Sequence, residues 1–209
     1  MFDSSLQITI FAETSNKYCL IDIENIIAGC KNDNRSSQKV LYERYSRIIY
    51  TICYRYFGNS YDAKDDTHDS FLKVLDKIKS FKGEGSFEGW LKKIVTNHCI
   101  DSLKKKNKNI FVQVDDFSVS DSIDENDSIT ELEQIVLSKS EIEGMVNKLP
   151  EKYRLIVNLH IVDNLSHEDI SFKIGISISN SKVRLNRARK LLLDEYQNII
   201  KTVRNITAI

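Results

Sequence analysis

Apolar residues recur at helical spacing along most of this chain. Ile23, Ile26 and Ile27, then Leu41, Tyr45, Ile48, Ile49 and Ile52, fall at i, i+3, i+4 and i+7, which predicts a pair of amphipathic helices from Asp22 onward. Asn59-Ser60 interrupts the pattern. A third helix opens near Asp62, with Phe71, Val74, Leu75 and Ile78 on one side and Asp65, Asp66, Asp69 and Asp76 largely elsewhere. Ser80 to Gly89 spends three of the seven glycines within ten residues, so it predicts a loop that contains both Phe81 and Phe87. Phe87 is expected to fold back onto the helices, leaving Phe81 as a ring offered to a ligand. Trp90 to Lys105 then predicts a helix with Leu91, Ile94, Val95 and Cys99 inward. Before all of this, Leu6, Ile8 and Ile10 alternate with Gln7 and Thr9 in a short strand-like pattern, to which no function is assigned.

Residues 109 to about 130 are rich in Asp and Ser and show little periodicity, which predicts a flexible linker and a domain boundary. Helical spacing resumes from Glu131 to about Leu149 and again from Glu151 to Val162. In the latter, Tyr153, Ile156, Val157 and His160 form one stripe and Leu155 and Leu159 a second, as suits the centre of a small bundle. His160 is expected to be a packed or rim residue, since no second metal ligand lies at a suitable spacing. Ser166-His-Glu-Asp169 has the form of a capping box, Ile170 and Ile174 point inward, Gly175 supplies a left-handed turn, and Ser177 stands where it can cap the next helix. That helix, Ile178 to about Leu193, places Ile178, Ser181, Leu185, Ala188 and Leu192 on one side.

Seven glycines and one proline in 209 residues leave few turns for a many-stranded sheet. The fold class expected is all-α: two small helical domains joined by an acidic flexible linker. The boundaries are an N-terminal extension at 1–21, a first domain at 22–108, the linker at 109–135, a second domain at 136–195 and a C-terminal tail at 196–209. The zero net charge hides a strong pattern: 22–108 and 148–209 each carry +5, whereas 109–147 carry −9. Cys19, Cys30, Cys53 and Cys99 contain no C-x-x-C pair, which predicts reduced, mostly buried thiols in a cytoplasmic protein. No apolar run approaches the roughly 18 residues of a membrane span, so no membrane insertion is expected. Gly-rich phosphate loops, metal-ligand clusters and nucleophile–base pairs are all lacking, so neither an enzyme nor a metal or other cofactor is expected.

Two surfaces suit nucleic acid. Trp90, Lys93, Asn97, Asp101 and Lys104 share one side of their helix and mix ring, amide and cation, as single-strand-binding surfaces do. Downstream, the helix after Gly175 carries Lys182, Arg184, Arg187, Arg189 and Lys190, five cations and no acid in nine residues. Helix, short turn and basic second helix is the geometry that lays a recognition helix in the major groove. Opposite its apolar stripe stand Ser179, Asn180, Val183, Asn186, Arg187 and Lys190, with Lys182 and Arg184 beside them. Ser179, Val183 and Arg187 are nearest the bases and Arg189 and Lys190 nearest phosphates.

In order, Leu41-Tyr-Glu-Arg-Tyr45, Asp62-Ala-Lys-Asp65, Phe71-Leu-Lys-Val74, Ser80 to Leu91, and Asn97 with Asp101 resemble domain two of the sigma-70 family, in its small extracytoplasmic-function (ECF) group and in the form common in Bacteroidetes. Leu149-Pro-Glu-Lys-Tyr-Arg154, Ser166-His-Glu-Asp-Ile170 and Arg187-Ala-Arg189 resemble domain four of that group. Lys64, Asp66 and His68 depart from it, standing where Glu, an aliphatic residue and Gln are frequent, and Val183 stands where a small polar residue is commoner.

The resemblance implies an initiation factor that binds core RNA polymerase through its β and β′ subunits, with Asp62, Asp65, Asp66, Asp69 and Lys73 on the helix that meets the β′ clamp. It implies that Phe81 and its loop, with Asn97, hold a base flipped from the minus-ten element of promoter DNA. The second domain would read the minus-thirty-five element, and the acidic connector would thread a basic channel. A membrane-bound anti-sigma factor is a further partner it implies. The alternative is a stand-alone helix-turn-helix regulator with an N-terminal sensor or dimerisation domain, binding duplex DNA as a symmetric dimer.

Overall fold

The computed structural model describes residues 22–107 and 137–207, with side chains through residue 202. The expected N-terminal extension at 1–21 and the expected linker at 109–135 lie outside the described residues. Among the described residues every regular element is helical and none is a strand. The elements are α1 (Ile23–Lys31), α2 (Arg35–Phe57), α3 (Ser60–Lys77), a 3-10 turn (Ile78–Ser80), α4 (Phe87–Lys106), α5 (Lys139–Lys148), α6 (Glu151–Val157), a π-helical turn (Asn158–Val162), α7 (His167–Ile174) and α8 (Ile178–Thr207). They form two compact units, one of residues up to Tyr54 with Ser60–Asp101, the other of Arg55–Asn59 with Ser102 onward.

In the first unit, Asp22 caps α1 by accepting the Glu24 N–H at 3.2 Å, and Asn34 accepts the Ser37 N–H at 3.0 Å at the start of α2. The predicted stripes are the core: Ile26, Ile27, Leu41, Tyr45, Ile49 and Ile52 are buried, as are Phe71, Val74 and Ile78 of α3 and its following turn. Leu91, Ile94, Val95 and Cys99 of α4 close the core from the far end of the sequence. α4 starts at Phe87, three residues earlier than its spacing predicts, because Ser86 takes the capping position and its Oγ accepts the Gly89 N–H at 3.1 Å.

In the second unit, α6 is apolar on both predicted sides, and Leu155, Ile156, Val157 and Leu159 are all fully enclosed. The helix predicted from Glu151 to Val162 widens into a π turn at Asn158. The helix predicted to end near Leu193 runs on to Thr207, so the expected tail at 196–209 is helical for most of its length. No Gly or Pro follows Gly175, and Leu192, Tyr196, Ile199 and Ile200 carry the apolar spacing past Leu193.

Asp66 is the position where the sequence departs from an aliphatic residue, and it behaves as a core position. It is 5% exposed on α3, and its Oδ1 lies 3.3 Å from Nε2 of His98 on α4. A polar pair thus replaces an apolar contact between these two helices, and Asp66 is removed from any outward polymerase-binding surface. A buried carboxylate deprived of a partner is costly, whereas an apolar side chain of similar volume is tolerated there. His98→Ala is therefore expected to lower the unfolding free energy by about 2–3 kcal/mol, and Asp66→Leu to leave it unchanged or higher. Urea denaturation of the full chain checks both, and a destabilising Asp66→Leu beside a silent His98→Ala would contradict this account.

Candidate nucleic-acid interface

α3 buries Ala63, Asp66, Thr67, Ser70, Phe71 and Val74, half-buries Asp62 and Leu75, and turns the rest outward. Asp65 and Asp69, four apart, are exposed on one side, Asp62 is half-buried near the amino end, and Lys73 is exposed with its Nζ 4.0 Å from Asp76 Oδ2. Tyr61, 76% exposed, and Leu72 stand among these charges.

Phe81 is not the open ring that the loop composition predicts. It is 8% exposed, edge-on to Phe87 with centroids 5.3 Å apart and tilted against Trp90 at 5.3 Å. Phe87 in turn packs edge-on against Tyr45 at 5.4 Å. Gly83 and Gly85, both at positive φ, let the loop double back and bury the ring. Lys31 fixes the loop from α1, its Nζ donating to the Phe81 carbonyl at 2.7 Å and lying 6.0 Å from the ring centroid. Trp90, half-exposed on the flank of this cluster, is the aromatic surface that remains available. On α4, Lys93 and Asp101 are exposed and Asn97 is half-buried, while Lys104, counted with the second unit, is half-buried.

The helix-turn-helix is built as its sequence predicts. Ser166 Oγ accepts the Asp169 N–H at 3.0 Å while Asp169 Oδ2 accepts the Ser166 N–H at 3.3 Å, a complete capping box with Asp in place of the longer Glu. Gly175 ends α7 at φ 75°, Ser171 Oγ donates to the Ile176 carbonyl at 2.7 Å across the turn, and Ser177 Oγ accepts the Asn180 N–H at 3.1 Å.

α8 is turned by about 50° from the orientation its apolar spacing predicts. Its buried arc is Asn180, Ser181, Arg184, Leu185 and Ala188, whereas Ile178 is exposed and Leu192 half-buried. Two expected base- or phosphate-facing residues are therefore lost: Asn180 is 3% exposed and Arg184 1%. Arg184 occupies a core position with its guanidinium enclosed as well as its stem. Ser179, Lys182, Asn186 and Lys190 are exposed and Val183 and Arg187 half-buried, so six of the eight expected residues remain on the outer side.

Two histidines add a contact that linear spacing does not reveal. The rings of His160 and His167 stack with centroids 4.4 Å apart and planes 17° from parallel. His160 Nδ1 lies 2.8 Å from the Leu165 carbonyl and must carry a proton to donate there. His167 Nδ1 lies 2.8 Å from Ser181 Oγ, tying the first turn of α7 to the recognition helix. Burial, then the nearby charges of His160, Lys182 and Arg189, hold His167 below the ordinary imidazole value of 6.5. Because the folded state favours the neutral ring, this stabilisation is complete above about pH 6.5 and is lost as the pH falls below it. The urea midpoint of the second unit's unfolding is expected to drop as the pH falls below about 6.5, and to drop less in His167→Gln. Equal drops in parent and variant would remove His167 as the cause.

Known proteins share this pattern. The family models described as Sigma-70 region 2 and Sigma-70, region 4 match residues 41–109 and 139–192, together more than half of the chain. The chain is 28% identical over 187 residues to the ECF RNA polymerase sigma factor SigW of Bacillus subtilis (strain 168), an alignment covering 85% of this chain and 98% of that protein. It is 21% identical over 182 residues to the ECF RNA polymerase sigma-E factor of Escherichia coli (strain K12), covering 84% and 95%. A solved structure, the sigma factor RpoE in complex with the anti-sigma factor NepR from Bartonella quintana, aligns with 76% of this chain and 96% of that one at 21% identity and a TM-score of 0.44. With a region-2 unit followed by a region-4 helix-turn-helix, this chain belongs to the sigma-70 family of RNA polymerase initiation factors, in its extracytoplasmic-function group.

Proposed function

We propose that the two units divide promoter recognition between duplex and single strand. The observation that carries this reading is that one chain presents two surfaces of different chemistry. The outer face of α8 is cationic and amide-rich, and α4 offers a half-exposed ring beside cation and amide. In this reading Ser179, Val183, Asn186 and Arg187 read base edges of the minus-thirty-five element, and Lys182 and Lys190 hold phosphates. Trp90, Lys93 and Asn97 engage the opened minus-ten element, and Phe81 anchors their loop from inside. Asp65, Asp69 and Lys73 on the outer face of α3 meet the polymerase core. Asp66 supports that helix through His98 instead of touching the partner.

The chain itself catalyses nothing in this account; it redirects an enzyme. It works in the cytoplasm, and a membrane-bound anti-sigma factor restrains it. No helix among the described residues is long and apolar enough to cross a membrane. A stand-alone regulator would need only the helix-turn-helix and a second copy of itself, and leaves the mixed face of α4 without a task.

Run-off transcription separates the two readings. Purified core polymerase is expected to initiate at a cognate promoter only when this chain is added. Reversing Asp65 and Asp69 together to Lys is expected to weaken affinity for core at least ~tenfold while the helical circular dichroism stays unchanged. A chain that occupies duplex DNA alone and adds nothing to core polymerase would establish the regulator instead.

A further inference from the structure

We propose that Cys53 and Cys99 form a reversible oxidation site, a dithiol that closes to a disulfide between α2 and α4 when the protein meets a peroxide. The two sulfurs are neighbours in the core of the first unit although 46 residues separate them in sequence. Sγ of Cys99 lies 3.8 Å from Sγ of Cys53, and both side chains are fully buried. A disulfide needs about 2.0 Å, so closure requires the sulfurs to approach by roughly 1.8 Å. The sulfurs already touch across the two helices, so the approach starts from side chains in contact.

The surroundings assign different roles to the two thiols. The Cys99 thiol donates toward Cys53, and Ser70 Oγ stands 3.7 Å from the Cys53 sulfur. These hydrogen bonds, the one from Cys99 foremost, outweigh burial and the nearby Asp66 carboxylate, so the Cys53 thiol ionises more readily than an ordinary one. With both the Cys99 sulfur and Ser70 Oγ beside it, Cys53 is taken as the attacking sulfur and Cys99 as the resolving one. Cys30, in α1 of the same unit, provides the contrast, because burial pushes its thiol up to about 11.

The chemistry balances with hydrogen peroxide as the oxidant. The Cys53 thiolate attacks one peroxide oxygen, the O–O bond breaks, and the departing hydroxide takes a proton to leave as water, giving a sulfenic acid on Cys53. The Cys99 sulfur then attacks the Cys53 sulfur, the S–O bond breaks, and the hydroxyl departs as a second water with the Cys99 proton. The two thiols lose two electrons, and the peroxide is reduced to two waters. A small-molecule dithiol or monothiol reverses the bond by exchange. Burial makes the reaction slow, since the oxidant enters only when the core opens locally, and it also protects the bond once made. In a reducing compartment such a bond is transient and tracks oxidant exposure.

The site lies on α4 two residues beyond Asn97, so closure pulls on the helix that carries Trp90, Lys93 and Asn97. On the functional reading above, the oxidised chain opens promoters poorly while still holding core.

The experiment uses the full chain, treated with hydrogen peroxide, blocked with N-ethylmaleimide under denaturing conditions and digested without reductant for mass spectrometry. The expected product is a Cys53–Cys99 linked peptide pair, lost on adding dithiothreitol, forming at least ~tenfold faster than Cys30 is consumed. In Cys99→Ser, whose hydroxyl keeps a donor beside Cys53 but cannot close a disulfide, dimedone is expected to trap a sulfenic acid on Cys53. Recovery of both residues as alkylated thiols, or linkage only to Cys30 or Cys19, overturns the site whether or not the variant folds. Permanganate probing of a promoter with oxidised and reduced chain reads the consequence separately. Slower melting by the oxidised form is expected, and equal melting would overturn the coupling to α4. Failure of the reduced chain to melt any promoter would overturn the functional reading and leave the linkage result standing.

Discussion

The arc of α8 that is buried decides what the second unit offers to DNA. Ser181 and Ala188 are both fully enclosed and both small, so the helix can approach its neighbours closely along that line. Leu185 lies on one flank and Arg184 on the other, both enclosed. With these four inside, geometry alone sends Ser179, Asn186 and Lys190 to the opposite side. α6 packs against α8 and the π turn that follows it against α7, and the turn at Gly175 sets the angle at which α8 leaves α7. The recognition surface is thus a by-product of packing, and a change in the buried arc would re-aim every outward side chain together.

The first unit solves a related problem with aromatic rings. A glycine-rich loop would cost entropy to order, and Phe81, Phe87, Trp90 and Tyr45 supply the contacts that hold it. The Lys31 bond to the Phe81 carbonyl satisfies a backbone group that would otherwise be exposed in the loop. What remains outside is the flank of Trp90 and the polar side of α4, a surface held rigid by groups that do not themselves reach a ligand. The charge pattern is equally segregated: residues 22–108 and 148–209 each carry +5, and the acidic residues concentrate in the sequence between them.

Most of this architecture was legible from residue spacing, because helices that bury one stripe announce it at i, i+3 and i+4. The capping box at Ser166 and Asp169, the left-handed Gly175 and the double stripe of Leu155 and Ile156 are local signals, and each appears in the structure as written. The failures have a common physical form. Asp66, Asn180 and Arg184 are polar residues at buried positions, and Phe81 is an aromatic residue in a loop. For each, residue type argued for exposure and tertiary packing overruled it. The departure of Asp66 from an aliphatic position was the one available hint that it belonged inside. The His160–His167 stack, the Asp66–His98 pair and the Cys53–Cys99 contact left no sequence signal, since each joins positions brought together only by folding.

The central claim is that the outer face of α8 reads promoter sequence, and Val183 tests it most directly because its apolar side chain stands on the side away from the buried arc, where it can pack on a thymine methyl. The measurement is a selection from a promoter library randomised over the upstream element, carried out with core polymerase and either the parent chain, Val183→Ser or Lys190→Ala. The account predicts that Val183→Ser relaxes preference at one base pair by about 1 kcal/mol with an unchanged salt slope. Lys190→Ala, in contrast, should weaken all sequences alike and flatten that slope by about one unit. Recovery of the same upstream motif by parent and Val183→Ser would contradict it.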